Sequence, residues 1–412
     1  MDYRTLMELV TGLASRLAVA GAETYRIEES VIRILRAYGL EGRVYSVPNS
    51  LFVTIMVPDS LPITQLCRMK DTGTDLDAVE KYSNLSRRIC AEVPDPHEAL
   101  QWLQAAERAH KTYSFPFVLL GNILVAGGLC VFYGGTPADC FCAGLCGLLL
   151  GLVDHILSKV NSNAFFQKIA SAFLMALFAY ILAEMGMATN IDTSVIGTLM
   201  LLVPGLLFTN ALRDIIFGDT NSGVNRVVTA LLIASAVALG TAAAWNTAEF
   251  LWGIPAAPSP LVHSDLTACI ATFVACVGFL FVWNIHGSGS WLCALGGFLT
   301  WAVFCTADHF GFGYAMCCFF GTVFAAAYAE IMARIRKYPA ISYLVISLIP
   351  LIPGSYIYYT AQQAVQGNMD GFLQQGILTL ITAGVMAVGI ILVSSAARII
   401  HPIHPPVNTT AK

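Results

Sequence analysis

A proline–glycine pair set inside a stretch apolar enough to cross a bilayer limits what this chain can become. Residues 193–226, TSVIGTLMLLVPGLLFTNALRDIIFGDTNSGVNR, are interrupted at Pro204-Gly205 and carry Arg213-Asp214 beyond the interruption. Proline lacks the donor that a helix interior needs and its ring clashes with the preceding turn, while glycine adds backbone freedom. Together they break or kink the helix. Backbone groups freed at membrane depth are tolerated only where protein or a water-filled cavity covers them. The stretch is therefore expected to line a cavity.

The same interruption returns at Pro353-Gly354, 149 residues on (position 353 against position 204). Carried without a gap, that offset pairs Gly218 with Gly367, Leu231 with Leu380 and Gly240 with Gly389, and, backward, Gly147 with Gly296 and Ala176 with Ala325. Two homologous halves are the expected origin of such a register.

With 57% hydrophobic and only 12% charged residues, the 412-residue chain is too apolar for an ordinary soluble protein. Its net charge of −4 gives no basic face for nucleic acid. Charge is concentrated before Lys111, so a cytosolic unit over 1–112 is expected, followed by membrane halves at 113–262 and 263–400 and a tail at 401–412. The twelve cysteines form no CxxC pair, and ten lie in apolar segments, where they read as packing residues. No metal or cofactor is implied. The first residues lack the continuous apolar core of a signal peptide.

Within the first unit, Leu6, Leu9, Val10, Leu13 and Leu17 recur at helical spacing, as do Ile27, Val31, Ile34, Leu35 and Tyr38. Residues 43–57 read as a hairpin around Pro48-Asn49-Ser50, and 63–69 as a third strand. Asp95, Pro96 and Glu98 mark the start of another helix. This is a small α+β unit. Its densest polar run is Gly21 to Glu28. On a solvated face Arg26 would pair with Glu29 and Glu29 with Arg33; the functional alternative has Glu23 and Arg26 facing the membrane part or a ligand.

Ten segments of bilayer length follow, at roughly 115–134, 138–157, 165–186, 194–217, 224–245, 266–286, 290–307, 312–333, 341–364 and 375–397. Five per half is an odd number, so the halves are expected to be inverted about an axis in the membrane plane. Basic residues agree: Lys159, Lys168, Arg213, Arg226, Arg334, Arg336, Lys337, Arg398 and Lys412 all fall on one side. The loops around Pro137, Asn190, Ala256, His309 and Asn368 hold none. Both termini are expected in the cytoplasm.

Paired discontinuous helices place a substrate where the breaks meet, because a half-helix N-terminus presents N–H groups and a positive dipole end to an anion. The candidates are Pro204, Gly205, Asn210, Arg213 and Asp214 in the first half, and Pro353, Gly354 and Tyr358 in the second. Asp214, Asp219 and Glu330 are candidate proton carriers, although Glu330 also has Arg334 one turn on as a partner and Arg213-Asp214 also reads as a loop ion pair. No phosphate-binding GxxxxGK[ST] loop occurs, so ion coupling is the simpler energy source.

Gly21-Ala22-Glu23-Thr24-Tyr25-Arg26-Ile27-Glu28, Tyr133-Gly134-Gly135, Val203-Pro204-Gly205 with Asn210, Arg213-Asp214, Gly218-Asp219 and Ser222-Gly223, and Ile352-Pro353-Gly354 with Tyr358 resemble the threonine/serine exporter family across nearly the whole chain. The chain departs at Val47-Pro48-Asn49-Ser50, where the family often has a Thr-Pro-Thr-like turn. The resemblance implies a cytosolic domain before ten membrane helices, and efflux of a small carboxylate-bearing metabolite driven by the proton gradient. Related split pairs are associated with succinate export. The expected function is thus a plasma- or inner-membrane antiporter, with small solute and lipid as its partners and a homo-oligomer as an option. Arg213 would hold the carboxylate or balance Asp214. The competing readings are a passive channel and a membrane-tethered hydrolase, for which the first unit offers His97, His110, Cys67 and Cys90.

Overall fold

The computed structural model describes residues 2–47, 49–69, 73–160, 163–216, 218–253, 259–287, 289–336 and 340–400. Pro48 of the expected turn, Ala256, Lys337 and the 401–412 tail with Lys412 lie outside the described residues, as does the side chain of Arg398.

The first unit forms α1 (Tyr3–Val19), α2 (Thr24–Ala37), β1 (Glu41–Val47), β2 (Ser50–Met56), β3 (Ile63–Arg68), α3 (Leu76–Glu92) and α4 (Pro96–Arg108). The apolar stripes explain the packing, since Leu6, Leu9, Val10, Leu13 and Leu17 of α1 are fully buried with Val31, Ile34 and Leu35 of α2. The strands form an antiparallel sheet in the order β1-β2-β3, with Val47 opposite Ser50 and Ser50 opposite Arg68. Asp95 caps α4 as expected, its carboxylate accepting from the His97 N–H at 2.9 Å.

The apolar part comprises α5 (Phe115–Phe132), α6 (Pro137–Leu157), α7 (Ala164–Glu184), α8 (Ile191–Leu199), α9 (Gly205–Ile216), α10 (Thr220–Trp252), α11 (Asp265–Val282), α12 (Ser290–His309), α13 (Tyr314–Arg336), α14 (Ala340–Leu348), α15 (Gly354–Val365) and α16 (Met369–Ile400). Among the described residues, eight helices are long and apolar enough to cross a membrane, or nine with the Ala340–Leu351 and Gly354–Val365 pair, bent by 53°, taken as one span. The molecule is a multi-pass membrane protein. Residues 194–217, read from sequence as one kinked span, are two helices, α8 and α9, parted by Met200–Pro204.

Shifting α8 and α9 by 149 residues reproduces the bounds of α14 and α15, and α10 shifted likewise begins where α16 begins. The breaks match in detail. Gly205 N–H donates to Val203 C=O at 2.9 Å, and Gly354 N–H to Ile352 C=O at 2.7 Å, so each proline centres a three-residue γ-turn. The carbonyls of Pro204 and Pro353 then accept the first helical bonds, from Phe208 and Ile357. Helices α5 and α11 cross antiparallel with their backbones nearly touching. A Cβ on Gly121 would lie 2.8 Å from the Gly278 oxygen, and one on Gly128 2.8 Å from the Ala271 oxygen. Small residues permit that approach. The long helices interlock across the halves, α9 packing on both α10 and α16, and α15 on both α16 and α10.

Candidate functional site

The two breaks meet. A Cβ on Gly205 would lie 2.3 Å from Ile352 Cγ2 and 3.4 Å from Gly354 Cα, so only glycine allows this contact without displacement. Beside it opens a cavity of about 450 Å³, within the range of small-molecule sites. Pro204, Gly205 and Gly354 line it, with Phe132 and Tyr133 from the end of α5 and Phe279 and Trp283 from α11. Its polar wall comes from Asn210 of α9 and from Asn225, Arg226 and Thr229 of α10. A further part of the wall belongs to the first unit, through Gly21, Glu23, Thr24, Ser46 and Asn49.

Local structure aims that wall. The chain leaves α1 through Gly21 at φ +88°, where a Cβ would also lie 2.5 Å from the Gly73 oxygen. Glu23 then sits at the N-cap of α2 but makes no cap bond with its side chain. Its carboxylate instead accepts from Arg26 Nε at 2.6 Å and from Arg213 Nη1 at 3.4 Å. The alternation continues through the membrane part: Arg213 Nη2 lies 3.9 Å from Asp214 Oδ1, and Asp214 Oδ2 lies 3.2 Å from Arg226 Nη1. Arg226 Nη2 returns to the first unit by donating to Thr24 Oγ1 at 3.3 Å. Nearby, Ser222 Oγ donates to the Ser46 carbonyl at 3.2 Å and Asn221 Nδ2 to the Tyr45 hydroxyl at 3.0 Å.

Three guanidiniums and two carboxylates thus form one chain across the joint. Glu23 is 4% exposed, and Arg213 and Asp214 are 3% exposed. Burial works to raise the Glu23 carboxyl, but the charges of Arg26 and Arg213 outweigh it and hold it at about 2. Arg213 keeps Nε and Nη2 without a hydrogen-bond partner among the described residues. Buried donors left in that state are costly, so this guanidinium has unused binding capacity.

The sequence candidates divide accordingly. Pro204, Gly205, Asn210 and Gly354 line the cavity, as does Glu23. Arg213 and Asp214 stand behind its wall, and Arg26 behind Glu23. Arg26 pairs with Glu23 and not Glu29, which takes Arg33 at 2.6 Å. Tyr358 is buried between α15 and α10, its hydroxyl donating to Thr241 Oγ1 at 3.2 Å. Asp219 is half-buried in the turn before α10, with its N–H bonded to the Asp214 carbonyl at 2.9 Å. Glu330 pairs with Arg334 at 3.7 Å, away from the cavity. Pro353 shapes the second break without lining the space. Sequence reasoning does not single out Thr24 and Thr229 as lining residues. Asn225 and Arg226 close the polar run Asp219 to Arg226 at the start of a 33-residue helix, a signal the sequence does carry.

Two sequence models of protein families cover most of the chain. One described as "Putative threonine/serine exporter" matches residues 8–248, and one described as "Threonine/Serine exporter, ThrE" matches residues 268–396. The chain belongs to the threonine/serine exporter family. Its relatives include a "Threonine/serine exporter" of Corynebacterium glutamicum, 23% identical over 95% of this chain and 82% of its own length. A "Probable threonine/serine exporter" of Mycobacterium tuberculosis is 22% identical over 95% of this chain and 76% of its own. A "Probable succinate transporter subunit YjjP" of Klebsiella aerogenes is 23% identical, covering 61% of this chain and 96% of its own length. No solved structure matches. Family membership and the cavity between the breaks bear on the same residues, because the first match spans the first unit and the α8–α9 break together.

For the hydrolase reading, burial pushes the Cys90 thiol up, which makes it a poorer nucleophile. His110 lies between Asp75 at 2.9 Å and Asp77 at 3.3 Å, and Asp75 is held by Asn284 Nδ2 at 3.0 Å. That cluster joins the first unit to the α11–α12 loop.

Proposed function

We propose that this protein is a secondary active exporter of small carboxylate-bearing metabolites, threonine and serine foremost, with the cavity between the two Pro-Gly breaks as its substrate site. The observation that carries the reading is the contact of Gly205 with Ile352 and Gly354 beside a cavity with one polar, guanidinium-bearing wall. Succinate or a similar dicarboxylate is the second reading, favoured by the succinate-transporter relative that covers 61% of the chain.

In this scheme the apolar part has ten spans, with α8–α9 and α14–α15 each counted as one broken span. Residues 113–262 and 263–400 are inverted halves behind a cytosolic unit at 1–112. The 149-residue correspondence of helix bounds and the antiparallel crossing of α5 and α11 support that scheme. Both termini lie in the cytoplasm of a plasma- or inner-membrane protein. Asn210 and Arg226 contact the solute, Arg213 holds its carboxylate, and Asp214 or Asp219 carries the coupled proton. The halves alternate access about the touching breaks.

Cells preloaded with labelled threonine, serine or succinate test this reading, with and without a protonophore, comparing intact protein with Arg213→Ala and Asn210→Ala. Protonophore-sensitive export of one solute, lost in both variants, is expected. Export indifferent to the gradient would make the protein a channel, and no export of any of the three would remove the substrate assignment.

A further inference from the structure

The ion-pair chain at the joint holds one guanidinium more than it has carboxylates. Arg26, Arg213 and Arg226 alternate with Glu23 and Asp214. Asp219 and Glu28 stand farther out, Glu28 accepting from the Ser46 N–H at 2.8 Å. Arg213 is the central member, 3% exposed, and its nearest acceptor is the Glu23 carboxylate. That carboxylate does not come from the membrane part at all. It is carried 190 residues away in sequence, on the tip of α2, by the unit that walls the cavity.

Building on the exporter reading, we propose that Glu23 is a tethered stand-in for the carboxylate of the transported solute, so that the solute displaces Glu23 from Arg213 and thereby undocks the first unit from the cavity. The ligand class is a small organic carboxylate, and the site is Arg213 flanked by Arg226 and Asn210.

The argument is one of exchange. Withdrawing Glu23 alone leaves Arg213 buried with only Asp214, at 3.9 Å, as a partner. Breaking a buried pair by removing one member is strongly unfavourable, because the other charge stays uncompensated. If another carboxylate arrives as Glu23 leaves, the guanidinium is never left alone, and Nε and Nη2, unused here, become available for the two-point grip that guanidinium and carboxylate favour. Glu23 meanwhile keeps Arg26, which travels with it on the same helix at 2.6 Å. Solute binding and opening of the first unit are therefore linked, each favouring the other.

Hydrogen exchange on the full chain in lipid nanodiscs tests this. The readout is the exchange rate of the segment Glu23–Ser30, with millimolar L-threonine, L-serine, succinate, or the amino alcohol that corresponds to threonine but lacks its carboxylate. A carboxylate solute that binds is expected to speed exchange of that segment by roughly tenfold, while the amino alcohol leaves it unchanged. Glu23→Gln is expected to exchange fast without solute and to bind the same solute several-fold more tightly. Arg213→Gln is expected to lose the solute's effect. Weaker or unchanged solute binding in Glu23→Gln would overturn the proposal, as would a bound carboxylate that leaves exchange untouched. Should no solute bind the intact chain, a Glu23→Gln variant that undocks yet also binds none of the three overturns it too. Failure of the exporter reading shows separately, as absent efflux from cells carrying the intact chain.

Discussion

The contact between the two breaks supports a quantitative test at Gly205. An alanine there would place its Cβ 2.3 Å from Ile352 Cγ2, more than about 1 Å short of an ordinary carbon contact. Ile352 is only half-buried and can yield, so Gly205→Ala is expected to cost about 1–3 kcal/mol, as overpacking does. Valine reaches farther, to the Gly354 backbone, whose Cα would already be 3.4 Å from the new Cβ. Gly205→Val is therefore expected to exceed that range and to abolish export, since the backbone of the second break cannot move without tilting α15. The decisive variant is the double substitution Gly205→Ala with Ile352→Ala, which removes the clashing methyl. Measured by thermal unfolding in detergent and by solute efflux, the double variant is expected to be no worse than Ile352→Ala alone. Independent sites add within about 0.5 kcal/mol. Simple additivity of the two costs, or wild-type efflux from Gly205→Val, would refute the idea that the breaks bear on each other.

Other expectations follow from the joint and from the caps. A double-mutant cycle of Glu23→Gln and Arg213→Gln, read by exchange at α2, is expected to show coupling of about 0.5–3 kcal/mol, the range for members of one ion-pair network, since Arg26 shares with Arg213 in depressing the Glu23 carboxyl. Because that carboxyl is depressed, its contribution to docking is fully present above pH 4.5 and lost as pH falls toward 2. Docking measured between pH 5 and 8 should therefore not vary on account of Glu23. Asp139→Asn is expected to destabilise the α6–α8 corner by about 1–3 kcal/mol, since the buried carboxylate accepts from the N–H groups of Thr136, Thr189 and Asn190 at 2.8, 2.7 and 2.7 Å; limited proteolysis near Thr189 would report it. Glu330→Gln should leave efflux and its pH profile unchanged, because its half-exposed pair with Arg334 is remote from the cavity.

What the sequence reveals and what it conceals have physical causes. The amphipathic stripes of α1 and α2, the Asp95-Pro96 cap and the Pro-Gly interruptions are local signals, and each appears where expected. Proline and glycine act on their own neighbourhood, so they announce a break, but they do not say that the break becomes Met200–Pro204 with two separate helices on either side. Pairing of Glu23 with Arg213 is invisible in the sequence for a different reason. Nothing in a helical repeat favours a partner 190 positions away, and Arg26 has acidic neighbours at both Glu23 and Glu29 that are equally plausible on a helical wheel. Burial decides between them: Glu23 points into the joint, while Glu29 remains on the wet face with Arg33. The pairing of Arg226 with Asp214 and Thr24 is hidden in the same way, until α10 proves to begin at Thr220.

One asymmetry in this otherwise paired architecture carries a thermodynamic meaning. Helices α8–α9 and α14–α15 have matched lengths and matched turns, yet Arg213, Asp214 and Arg226, which carry the charge ladder to Glu23, are answered by Gln362, Gln363 and Gln375 at the corresponding positions of the second half. Two equivalent halves left to themselves would have no reason to rest facing one side of the membrane more than the other. A weight that grips the two by different means tips that balance, and a bias of about 1–3 kcal/mol corresponds to a population ratio of about 5–150. On the exporter reading proposed above, the first unit is then the counterweight that sets the idle position of a reversible machine, and removing it is expected to leave solute leaking in both directions.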